Sequence, residues 1–203
     1  MEALLETLDG ELHIHAHGYR QDEMLALMRV AEEFGLTIRV FVHALEGYKI
    51  AEEMRDHGAA AMVWTDWSSF KVEAHDATTY NARILMEAGV LTTLHSDDSQ
   101  IASRMNWEAG KLLRTGISEE DALSLVTIVP AEVLGIQERV GSLEPGKDAD
   151  FVLWSGHPLS TSTIAHQTWV DGRRYFDLDE DRTAREAVER ERAMLIQRIL
   201  EER

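Results

Sequence analysis

Leu12, Ile14 and Ala16 alternate with His13, His15 and His17. This period of two predicts a strand over residues 11–17 with three imidazoles on one face. A short helix over residues 2–8 precedes it. From residue 21 the period changes: Met24, Leu25, Met28, Ala31 and Phe34 recur at helical spacing, and Gly35 supplies a stop. TIRVFVHA then reads as a β-branched strand and residues 48–57 as a helix stopped by Gly58. AAAMVW reads as a third strand, residues 78–88 as a helix stopped by Gly89, VLTTLHS as a fourth strand, and residues 101–115 as the helix after it. Strand followed by helix, four times over, predicts parallel βα units. After a helix over residues 118–128 the texture changes. Between 139 and 176, glycines and prolines separate the short apolar runs FVLW, QTWV and RRYF, which predicts a small β region. Residues 180–203 are highly charged, with an apolar stripe at Ala184, Val188, Leu195 and Ile199. They read as an amphipathic helix that packs on this chain or another, or as a solvated terminal helix.

Composition narrows the possibilities. At 203 residues the chain is too short for an eight-stranded α/β barrel, which takes about 250 residues, plus a second domain. Its formal net charge of −17 argues against binding to phosphate backbones or anionic membranes, so neither nucleic acid nor membrane is an expected partner. No cysteine is present, which excludes disulfides, thiolate metal sites and a cysteine nucleophile. No apolar run approaches the length of a membrane span, and MEALLETLDGELHIH lacks the features of a signal peptide; the expected location is cytoplasmic.

The chemistry-bearing residues gather where strands end. His15 and His17 share a strand face, His43 ends the second strand, and His95 and Asp97 end the fourth. In parallel βα folds, ligands and chemistry collect at the carboxyl ends of the strands. Imidazole and carboxylate donors suit zinc foremost, and also manganese, iron or nickel. His57 reads as a helix-end cap, and His75, His157 and His166 as surface residues. The stretch from Asp66 to Glu73 is either a solvated loop anchored by Trp67 and Phe70 or a substrate loop in which Lys71 offers a cation. Ser96-Asp97-Asp98-Ser99 alone would also suit an acidic magnesium site. No G-x-S-x-G elbow, P-loop or G-x-G-x-x-G is present.

HGYRQDEMLALMRVAEEFGL, FVHALEGYKIAEE, NARILMEAGVLTTLHSDDS and RVGSLEPGKDADFVLWSGHPLS closely resemble the amidohydrolase superfamily, its imidazolonepropionase-like branch in particular. The resemblance runs from about residue 11 to 178. It implies a distorted (β/α)8 barrel holding one or two divalent metals and hydrolysis by a metal-activated water. His17 resembles the fifth-strand ligand, His43 the sixth-strand ligand, and Asp97 the eighth-strand aspartate that binds metal and shuttles the proton. The family's first-strand H-x-H pair and fourth-strand lysine have no counterpart, so the chain resembles the carboxyl-terminal half only.

The expected architecture is therefore four βα units of a half-barrel over residues 1–134, a C-terminal β segment over 135–178 and a tail helix over 179–203. Four strands leave two open edges, so completion of the barrel by a homodimer or a larger homo-oligomer is expected. His15, paired with His17, is a candidate replacement for the lost H-x-H ligands. Tyr19, Lys71 and His95 are the candidate substrate-side residues. The leading expectation is a promiscuous metal-dependent hydrolase of small-molecule amides, esters or phosphotriesters, with Asp97 as catalytic residue. Two alternatives are an inactive fragment serving as a folded or partner-binding module, and a binding protein that uses metal structurally.

Overall fold

The computed structural model describes residues 2–201. A short helix, α1 (Glu2–Leu8), leads into β1 (Ile14–Gly18), α2 (Gln21–Glu33), β2 (Ile38–His43), α3 (Ala51–His57), β3 (Ala60–Val63), α4 (Asn81–Glu87) and β4 (Thr92–Leu94). The four strands form one parallel sheet in chain order, β1-β2-β3-β4. The helix stops are local: Gly35, Gly58 and Gly89 have φ of 69°, 86° and 88°, a left-handed conformation that costs glycine little.

The two faces of the sheet are sorted by alternation. Ala16, Phe41, Ala61, Val63 and Leu94 pack with Met24, Met28, Met54 and Leu85 in the main core, under the helices. Val40 and Ala60 belong to the opposite face and pack with Val133, Met62 and Leu91. An extra residue in β2, between the Ile14–Ile38 and His15–Val40 pairs, lets Ile38 join the first face and Val40 the second. His57 ties two elements to the sheet: its Nε2 accepts the Ile38 N–H at 2.9 Å. That leaves Nδ1 as the protonated nitrogen, 2.8 Å from Glu32 Oε1.

Two expected helices are broken. In place of a continuous helix over 101–115 there are α5 (Ser99–Ala102), α6 (Met105–Lys111) and a 3-10 turn over Leu112–Thr115. The break falls at Arg104, whose φ of −139° and ψ of 33° are not helical. The helix expected over 118–128 stops early as α7 (Glu119–Ser124), and a separate α8 (Ile128–Leu134) follows after Thr127, whose φ of −131° and ψ of −88° are not helical. Pro130 lies in the first turn of α8, where a missing N–H costs no hydrogen bond. Ser118 caps α7 by accepting the Asp121 N–H at 3.0 Å. The Leu125 carbonyl accepts the Leu94 N–H at 3.1 Å and so occupies part of the β4 edge.

The chain divides into two compact units, one of Met1–Ser142 with Leu159–Thr161 and one of Leu143–Pro158 with Ser162–Arg203. The β segment and the tail helix fall in the same unit. The second unit is an antiparallel sheet of β5 (Phe151–Trp154), β6 (Ala165–Val170) and β7 (Arg173–Asp177), followed at once by α9 (Leu178–Glu201). Asp177 joins strand to helix by accepting the Asp179 and Glu180 N–H groups at 3.0 and 3.3 Å. No helix among the described residues is long and apolar enough to cross a membrane.

Leu159 returns to the first unit and lies against α6. A Cβ built on Gly110 would stand 2.5 Å from the Leu159 carbonyl oxygen. Gly110→Ala is expected to lower stability by about 1–3 kcal/mol, measured by urea unfolding, because backbone must move to admit the methyl group.

Candidate metal and substrate site

The site begins with a backbone reversal at the end of β2. Alternation would send His43 after Phe41, toward the helices. Its φ is 77°, close to half a turn from the extended range, and Ala44 follows at 36°. The imidazole is thereby turned toward the strand face carrying His17, and His17 Nδ1 lies 3.0 Å from His43 Nε2. A non-glycine residue in the left-handed region costs about 1–2 kcal/mol, so the reversal needs support. Three residues provide it. Ala44 N–H donates to the Gly18 carbonyl at 2.9 Å, and Glu46 N–H to the Tyr19 carbonyl at 3.0 Å. Buried Asn81 donates to the Ala44 carbonyl at 2.9 Å and accepts the Tyr48 N–H at 2.9 Å.

Around this pair stand most of the residues the sequence singled out. Tyr19 stacks on His43 with ring centroids 4.5 Å apart. His95 lies 5.0 Å from His43 and 4.8 Å from Trp64, centroid to centroid. Lys71 Nζ sits 3.6 Å from the centroid of the Tyr19 ring, and no carboxylate among the described residues ion-pairs with it. Asp97, with φ 51°, is exposed beyond β4, and its carboxylate bears electrostatically on both His43 and His95. Asp98 is occupied as the N-cap of α5, accepting the Gln100 and Ile101 N–H groups at 2.8 and 3.0 Å. Both bonds go to Oδ1, so one oxygen of Asp98 is committed to the cap.

His15 is not brought to the group. Its electrostatic neighbours are His13 and Arg39, and it stands one layer below His17, about 7 Å along the strand. Parity placed His15 on the strand face that carries His17, and no described contact links it to His43, His95 or Asp97. His13 lies outside β1 and is exposed.

Burial governs the protonation of the imidazoles. It is the main cause of the lowered His43 pKa; the Asp97 carboxylate opposes it, while His17 and Lys71 reinforce it. His95 is brought down to about 4, mainly by burial and further by His43, again against Asp97. His15 is also lowered, by burial first and then by His13 and Arg39.

A divalent metal can be tested against these donors. Neutral imidazole is the form that binds metal. Two nitrogen donors on a tetrahedral zinc lie about 3.3 Å apart, and the His17–His43 contact of 3.0 Å needs only a small opening. His43 Nδ1 and His95 Nε2 are buried without a hydrogen-bond partner. His17 and His43, with Asp97 as an oxygen donor, fit such an ion in kind. Among the described residues no group of three ligand-type side chains is already closed around one point.

Sequence reasoning missed Asn81, Glu46 and Trp64. Buried Glu46 accepts the Gln21 N–H at 3.0 Å and pairs with Lys49 at 3.3 Å, anchoring the start of α2 to the segment after His43. Trp64 packs against Tyr19, His43, His95, Trp67 and Phe70. A buried asparagine at the start of a helix was the available signal, but its partners lie 33 and 37 residues away.

Comparison with known proteins follows the same outline. A model of the amidohydrolase family matches residues 12–175. Amidohydrolase tasK of Hapsidospora irregularis is 33% identical over 182 residues, covering 87% of this chain and 18% of that protein. Imidazolonepropionase of Syntrophobacter fumaroxidans is 29% identical over 152 residues, covering 64% of this chain and 36% of that protein. The crystal structure of an amidohydrolase from Thermotoga maritima superposes with a TM-score of 0.82 at 34% identity, covering 87% of this chain and 46% of that one. The chain thus spans less than half the length of each of these relatives.

Two outcomes follow from the geometry. Asn81→Ala leaves the Ala44 carbonyl and the Tyr48 N–H without their partner and is expected to cost about 2–4 kcal/mol, read by urea unfolding. In metal-free protein, NMR titration is expected to show His95 protonating near pH 4. The unfolded chain takes up that proton from pH 6.5 downward. The contribution of His95 to stability is therefore complete above pH 6.5 and lost as the pH falls toward 4. His95→Gln is expected to flatten the stability profile in that window.

Proposed function

Since this chain belongs to the amidohydrolase family, we propose that it is a divalent-metal hydrolase half-barrel acting on a small-molecule amide, ester or phosphotriester. The observation that carries this reading is the paired His17 and His43 at adjacent strand ends, held by a strained turn beside Asp97. His17, His43 and Asp97 would hold the ion; zinc suits this donor set best, with manganese, iron and nickel as alternatives. The metal supplies Lewis acidity, lowering the pKa of water and polarising the scissile bond.

The protein's own groups do the rest. Asp97 accepts the proton of the attacking water and returns it to the leaving group. His95, neutral at pH 7, offers hydrogen bonding without charge. Lys71 presents a cation to the substrate from above the Tyr19 ring. Trp64, Trp67 and Phe70 form an apolar wall that limits water. The same proposal includes low selectivity and a preference for activated esters and phosphotriesters, whose leaving groups need little acid assistance.

A second reading is favoured by one observation: no set of three ligands is closed among the described residues. On that reading the chain is a folded module that neither holds metal nor turns over substrate by itself.

Elemental analysis of the purified, metal-loaded chain, followed by a panel of an ester, a phosphotriester and a lactam, separates the two. The hydrolase reading expects a stoichiometric ion, lost in His17→Ala and His43→Ala but retained in His15→Ala. It also expects a fall in kcat/KM of about 10²-fold or more in Asp97→Asn. A folded chain with no bound ion and no turnover would overturn it in favour of the module.

A further inference from the structure

The tail helix α9 is 24 residues long and none of them is buried. At 1.5 Å per residue it extends about 36 Å. Along it Val188, Leu195 and Ile199 are 61%, 52% and 58% exposed. With Ala184 they fall on one stripe, because steps of 4, 7 and 4 residues each return close to the same helix face. The stripe is symmetric about the bond between Glu191 and Arg192, which lie on the same side of the helix in its central gap. If a second α9 is laid antiparallel across that point, Ala184 meets Ile199, Val188 meets Leu195, and Glu191 meets Arg192. A small residue then faces a large one at each end, and an acid faces a base, twice, at the middle.

The wider charge pattern agrees. The first half of the helix, residues 178–189, carries five acids and two arginines, whereas residues 190–201 carry three arginines and two acids. An antiparallel partner sets the acidic half against the basic half; a parallel partner sets like against like. The described ion pairs of α9 with acids of the same helix involve Arg182, Arg185 and Arg190. Glu191 and Arg192 ion-pair with nothing among the described residues.

We propose that α9 is a self-association surface whose occupant is a second copy of the same helix, antiparallel, with the two-fold axis passing between Glu191 and Arg192. The contact is isologous, so each favourable pair occurs twice and the assembly closes as a dimer. It is independent of the hydrolase reading, since no residue of the candidate site takes part.

The chain has no cysteine, which makes cross-linking a clean test. Ala184→Cys and Ile199→Cys are made separately, and the full chains are mixed under mild oxidation. The antiparallel pair expects a disulfide-linked heterodimer from the mixture and little cross-linking from either variant alone, because residues 184 and 199 are about 22 Å apart along the axis. Cross-linking of Ala184→Cys with itself would point to a parallel pair and overturn the proposal. Light scattering on a dilution series gives the second readout. Leu195→Glu is expected to weaken the dimer at least about tenfold with helicity unchanged. Glu191→Arg and Arg192→Glu are each expected to weaken it, and the double swap to restore it. A wild-type chain that stays monomeric up to about 100 μM, or a double swap as weak as its parents, would also overturn the proposal.

Discussion

The arrangement at the strand ends depends on a short piece of backbone that is unfavourable in isolation. His43 and Ala44 both occupy the left-handed region, and neither is glycine. The cost is met from three directions: the Gly18 carbonyl on β1, the Tyr19 carbonyl just past it, and the Asn81 side chain from the start of α4. Without that support the chain would relax toward extended geometry, and the His43 ring would turn back toward the helices. The His17–His43 contact, the Tyr19 stack and the Trp64 packing all follow from the direction in which this single side chain leaves the backbone.

Much of this was legible in the sequence, and the reasons differ by residue. His17, His43, His95 and Asp97 could be placed because strand ends are marked by a change of period, and strand ends in parallel sheets converge. Tyr19 and Lys71 followed as neighbours of those ends. For His15, parity assigned the face of the strand it shares with His17, and depth along the strand lay outside what parity reads. Asn81 and Glu46 could not be read, because their roles consist of bonds to residues distant in the chain. The broken helices show the same division. The Thr127 boundary had local signals in Pro130 and Gly135, whereas the irregular backbone at Arg104 had none as clear.

Electrostatics and packing act together in the group. Burial favours neutral rings at His43 and His95, and Asp97 pulls the other way from an exposed position. A neutral imidazole keeps a lone pair available, and unpartnered buried nitrogens are retained only where the surrounding fold compensates for them. The buried Trp64 ring packs against both His43 and His95, and Trp67 stacks on it in turn.

The order of the strands bears on how such a chain comes into being. Each new strand is added to the outer edge of the one made just before it, and α2, α3 and α4 are each closed by a glycine. Each parallel pair can form once its own helical crossover has been made, although parallel pairing is intrinsically slow. The histidine pair is the exception. His17 and His43 are synthesised with the first two strands, but Asn81, which holds the turn, emerges some forty residues later. Completion of the turn that aims His43 thus waits on a segment made after both histidines.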